Sequence, residues 1–134
     1  MDIKEIRAAF NRCEYQRVLD MIEVFTQEQM KKGFPSEELM VRATNMKALA
    51  LVALEQPGEA YGAWLSVMQS ADFRHDISLQ LQARVQAIRL LNELGWIEER
   101  GKAVAEFKGF IGGLTSQQIL EATAMLKELL EELH

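Results

Sequence analysis

Apolar residues recur along this chain at steps of three and four, the spacing of one face of an α-helix, and the pattern is interrupted at a small number of places. Residues 2–11 place Ile3, Ile6, Ala9 and Phe10 on one stripe. After Arg12-Cys13 a second helix is predicted over 14–32, with Tyr15, Val18, Leu19, Ile22 and Phe25 facing a core and Lys31-Lys32-Gly33 as a C-terminal signal. Phe34-Pro35 stops it, and Ser36 ahead of Glu37 and Glu38 is placed to cap a third helix. That third stretch, 37–55, is apolar at 12 of its 19 positions, too many for a single stripe. It is expected to be buried on most of its circumference, with the other helices packed around it.

Gln56-Pro57-Gly58 marks a turn, followed by a helix over 58–70 carrying Ala60, Tyr61, Trp64, Val67 and Met68, in which Gly62 and Ala63 permit close approach of a neighbour. The polar stretch 72–76 reads as a loop whose Asp76 caps a fifth helix, 77–94, with Ile77, Leu81, Val85, Ile88 and Leu91 on its apolar face. Gly95 ends it. A sixth helix is predicted over 96–110, and Gly112-Gly113 breaks the chain again. Thr115 with Gln118 three residues on has the form of a capping box, opening a seventh helix marked by Ile119, Ala122, Leu126, Leu129 and Leu133. Nothing alternates with period two, so the expected fold class is all-α, about seven helices in one domain spanning 1–134.

Composition narrows the partners. Twenty acidic against fifteen basic residues give a net charge of −5, which opposes non-specific attraction to nucleic acid or anionic lipid. The charged amino-terminal stretch lacks the apolar segment of a signal peptide, and no apolar run approaches a membrane span, so a soluble cytoplasmic protein is expected. The single cysteine, Cys13, excludes an intramolecular disulfide and fits a reducing compartment.

The breaks at Cys13, Pro57 and Gly95 lie 44 and 38 residues apart and divide the chain into three helical hairpins plus a terminal helix. Around them the residues resemble the tetratricopeptide repeat family, whose turn runs Gly, Asp or Asn, an aromatic, two variable positions, Ala and an apolar residue. Cys13-Glu14-Tyr15-Gln16-Arg17-Val18-Leu19 follow that order with Cys for Gly and Val for Ala, Glu59-Ala60-Tyr61 with Trp64 look like the family's second helix, and Leu94-Gly95-Trp96 share its glycine. The spacing exceeds the family's roughly 34 residues and is nearer the roughly 40–47 of HEAT-type repeats. The Trp, Leu-Gly and Tyr signature of the first helix is absent. The resemblance implies three antiparallel hairpins and a capping helix in a superhelix, and an adaptor or chaperone that holds a peptide or helix of another protein in its concave face.

Candidate chemistry is sparse. Cys13 occupies a turn position that glycine fills elsewhere, which accounts for it without a nucleophilic role. Asp72 with His75 and Glu131 with His134 have the spacing of a carboxylate and imidazole on one helix face, but a dinuclear site needs two inward pairs and two more glutamates. Gly109, Gly112 and Gly113 lack the lysine and the preceding strand of a phosphate loop. No catalytic residue, metal or cofactor is therefore expected. Met21, Met40, Met46, Met68 and Met125 fall on apolar faces as core filling, and Trp64 does the same.

The polar residues on the first helix of each hairpin are more suggestive. Arg42, Asn45, Arg84 and Arg89, with Lys4, Arg7 and Asn11, would make a concave face basic within an acidic protein and suited to an acidic partner segment, or they are ordinary solvated positions. Trp96, beside a helix break, is a candidate partner anchor. The seventh helix either covers the apolar face of the third hairpin or pairs with a second copy in a homodimer.

Overall fold

A computed structural model describes residues 2–33, 36–73 and 76–133, residues 71–73 by their backbone alone. Seven helices follow one another: α1 (Ile3–Asn11), α2 (Tyr15–Lys31), α3 (Glu37–Ala53), α4 (Pro57–Phe73), α5 (Ile77–Leu94), α6 (Ile97–Gly112) and α7 (Ser116–Glu132). No strand occurs among the described residues. The fold class is all-α.

The helix starts follow local chemistry. Asp2 accepts from the backbone N–H of Lys4 at 3.0 Å while Glu5 reaches back to the N–H of Asp2, a reciprocal cap. Ser36 and Asp76 accept from Leu39 and Leu79 at 3.4 and 3.1 Å, and Gln118 accepts from the N–H of Thr115. α4 opens on Pro57, where the missing N–H costs nothing and the fixed φ suits a first helical residue. It also runs on through Asp72 and Phe73, where a loop was expected. Ser70, Ala71 and Asp72 contain neither glycine nor proline, and a polar run alone does not stop a helix. Phe34-Pro35, His75 and His134 lie outside the described residues.

The three hairpin turns share one geometry. Cys13, Glu55 and Gly95 sit in the left-handed region at φ 60°, 58° and 75°, 42 and 40 residues apart. At each, the next residue's N–H reaches back five positions: Glu14 to Ala9, Gln56 to Leu51 and Trp96 to Leu91, at 3.1, 2.9 and 3.0 Å. This is the six-to-one bond of a Schellman turn. The second turn residue is thus Glu55, two positions ahead of the proline that marks it in the sequence.

Counting from these turns aligns the core. Four positions before the turn stand Ala9, Leu51 and Leu91; seven before stand Ile6, Ala48 and Ile88; twelve after stand Phe25, Val67 and Phe107. All nine are buried. The repetition joins sequence to packing, because one turn geometry sets one phase for the helices on either side.

Three apolar clusters follow the chain. The first gathers Ile6, Ala9, Val18, Ile22, Phe25, Ala43 and Met46 from α1, α2 and α3. In the second, α4 lies between α3 and α5 through Ala48, Ala60, Ala63, Ala83 and Ala87, small side chains that let three helices approach closely around Trp64 and Val67. The third joins Leu81, Val85 and Ile88 of α5 to Phe107 of α6 and to Ala122, Leu126 and Leu129 of α7. α3 therefore links two clusters instead of gathering the whole chain: its backbone contacts are with α1, α2 and α4, and α5 has the matching place among α4, α6 and α7. Of the pair expected to ease close packing, only Ala63 does so; Gly62 is exposed, with nothing within 4 Å of where its Cβ would stand.

Candidate functional site

Because α4 spaces α3 from α5, no Cα of α3 comes within 8 Å of α5, and an open groove runs between them with Trp64 of α4 as its floor. Its volume is about 280 Å³, just below the roughly 300–1,000 Å³ usual for small-molecule sites. Leu49, Val85 and Met125 give it apolar walls, and Asn45, Gln82 and Gln86 place carboxamides along it. Arg89 and Glu128 close the end toward α7.

The floor carries an unmet donor. Trp64 is only 3% exposed, and its indole N–H is buried without a hydrogen-bond acceptor. Leaving such a donor unpaired costs about 1–3 kcal/mol. The indole itself is packed in the second cluster.

The sequence candidates separate in space. Asn45 and Arg89 share this groove, but Arg89 is held by Glu132 through two hydrogen bonds of 2.8 Å and delivers little net positive charge. That pairing raises the Arg89 pKa and lowers that of Glu132, in both cases chiefly through the hydrogen bonds. Arg42 pairs one turn back with Glu38 at 2.7 Å and does not line the groove. Arg84 points the other way, its guanidinium 4.4 Å from the centre of the Phe110 ring, beside a small cavity between α4, α5 and α6. The expected basic face thus divides into an amide-lined groove and separately engaged arginines. The sequence marks Trp64 as core, and its apolar spacing says nothing of its N–H; nothing in the sequence marks Gln82 and Gln86 as site residues.

Trp96 is about half exposed and meets Tyr61 edge to face, centroids 6.2 Å apart. Burial first, then the charges of Glu106 and Glu99, push the Tyr61 hydroxyl above its ordinary pKa. A second, larger groove of about 560 Å³ lies between α2 and α4, with Lys47 and Glu59 among its lining. It has no buried unpaired donor among the described residues.

Cys13 is exposed in its turn. No group of three or more metal-ligating side chains occurs among the described residues, and the imidazoles of both Asp72–His75 and Glu131–His134 fall outside them. Among the described residues no helix is long and apolar enough to cross a membrane. Compared with known proteins, the chain matches no family model, no curated protein and no solved structure.

Proposed function

We propose that this chain is a non-catalytic scaffold, of the tetratricopeptide-like kind its turns resemble, that captures a segment of another protein in the groove between α3 and α5. The observation that carries the reading is the open groove itself, with Trp64 on its floor, apolar walls and three carboxamides along it. The carboxamides of Asn45, Gln82 and Gln86 each offer a donor and an acceptor, the complement of a peptide bond, while Leu49, Val85 and Met125 receive an apolar side chain. Recognition through backbone groups and one apolar pocket is how scaffolds hold segments of varied sequence. The titratable groups with displaced pKa values are surface or half-buried residues, each explained by an immediate neighbour or by burial, which supports binding over acid–base chemistry.

The test is selection from a random peptide library, followed by titration of the selected peptides. Trp96→Phe leaves Trp64 as the only tryptophan and its emission as the reporter. Binding is expected to perturb that emission and to weaken about tenfold in Gln86→Ala, the scale of one lost hydrogen bond in a dry site. Selected peptides that bind Gln86→Ala as tightly as the parent refute the reading.

A further inference from the structure

The groove between α3 and α5 adjoins a smaller cavity of about 210 Å³ between α5 and α7, and Gln82 and Met125 are walls of both. α7 gives this surface a single stripe. Glu121, Met125 and Glu128 line the two cavities and Glu132 follows them, at steps of four, three and four residues, the repeat of one helix face. The charges along the track do not cancel. Arg89 is held by Glu132, and Arg42, three residues before Asn45 on α3, is held by Glu38. Arg84 and Lys47 line other cavities, and Lys127 and Glu131, the remaining charges of α7, line neither of these two. Glu121 and Glu128 are exposed and enter no ion pair among the described residues, so the unmatched charge is negative.

We propose that the partner segment received by this groove is basic, with a lysine or arginine within about two residues of the apolar side chain that seats beside Trp64. The inference rests on the reading of the groove as a peptide site, and it reverses the acidic partner expected from the arginines alone. The spacing follows from α7. Glu121 and Glu128 stand about 6 and about 4.5 Å along the axis from Met125, a wall of the apolar pocket, and an extended chain covers such a distance in about two residues. A lysine or arginine can lay its methylene stem over Leu49 or Met125 and carry its charge on to a carboxylate. An acidic segment meets like charge at the same wall, so the pair of carboxylates acts on specificity as well as on the rate of encounter. A second copy is the poorer occupant, since each chain has a net charge of −5 and two copies repel.

The experiment uses the full chain with Trp96→Phe as the parent, peptides selected on it from a random library, and a second protein that also carries Glu121→Gln and Glu128→Gln. Both carboxylates are exposed, so the variant should keep its fold, which circular dichroism checks. The selected peptides are expected to share a lysine or arginine within about two residues of an apolar one, to bind the double variant about fivefold more weakly than the parent, and to lose that difference when methionine replaces the basic residue. Raising the salt from about 50 to about 500 mM should weaken binding to the parent more than to the variant. Peptides that weaken in Gln86→Ala but bind the double variant as tightly as the parent overturn the charge assignment and leave the groove reading standing. A library that yields no binder sensitive to Gln86→Ala overturns both. If mass measurement shows the protein alone forming dimers that Glu128→Lys dissolves, the groove belongs to a second copy and the proposal falls.

Discussion

Arg89, in the last third of α5, holds Glu132 at the end of α7 through a two-pronged contact, its Nε and Nη2 each donating to one carboxylate oxygen at 2.8 Å. The pair ties the last turn of α7 to the helix it covers. The Glu132 carboxyl is held below its ordinary value of 4.5, first by these hydrogen bonds, against an opposing desolvation that outweighs the further pull of the Arg89 charge. A carboxyl depressed in the folded state contributes stability that is present above its unfolded pKa and is lost as pH falls through its folded pKa. Thermal unfolding of Glu132→Gln is therefore expected to lie below that of the parent at neutral pH, with the gap closing below about pH 4.5. A gap that stays constant into strong acid contradicts the assignment.

Tyr61 gives a prediction at the other end of the scale. Its pKa is raised above 10.0, mainly by burial and then by Glu106 and Glu99. For a group raised on folding, stability is complete below the unfolded pKa and declines as pH rises toward the folded value. Stability should fall above about pH 10, and less so in Tyr61→Phe. Absorbance titration of Glu106→Gln should show one tyrosine ionising at lower pH than in the parent. An unchanged titration removes Glu106 as a cause.

Phe107→Ala tests how far the clusters are separate. The side chain is fully buried among residues of α5, α6 and α7, and its truncation is expected to cost about 3–5 kcal/mol. Since α1, α2 and α3 bury their own cluster, amide exchange should rise sharply in α6 and α7 while Ile22 and Phe25 keep their protection. Uniform acceleration along the chain indicates a single cooperative core instead.

The turn residues make a matched pair of substitutions. Glu55 adopts a left-handed conformation that costs a side-chain-bearing residue about 1–2 kcal/mol, whereas glycine enters it freely. Glu55→Gly should stabilise by up to about 1 kcal/mol, and Gly95→Ala should destabilise by a similar amount. Chemical denaturation of both variants checks the signs, and a destabilised Glu55→Gly argues against the common turn geometry.

Helix positions were largely legible because apolar spacing and end signals agree: Ser36, Asp76 and Gly95 each did locally what their chemistry dictates. Tertiary placement was less so. The high apolar content of α3 pointed to one central rod, yet the same composition serves a helix shared by two of three successive clusters. Arg42 and Arg84 looked alike in sequence, but Glu38 one turn away and Phe110 on a later helix engage them, and only the first lies near in the chain. The groove was legible only in part, through Asn45 and Arg89. Its Trp64 floor depends on how far α4 holds α3 from α5, a distance set by the alanines between them.

The common turn also bears on how such a chain can grow. Residues 56–95 run from one turn to the equivalent point of the next, so a tandem copy of that stretch would extend the row by one unit using only contact types already present. Nothing in the geometry of the unit itself fixes the number of units, and insertion of whole 40-residue modules is the length change this architecture tolerates most readily.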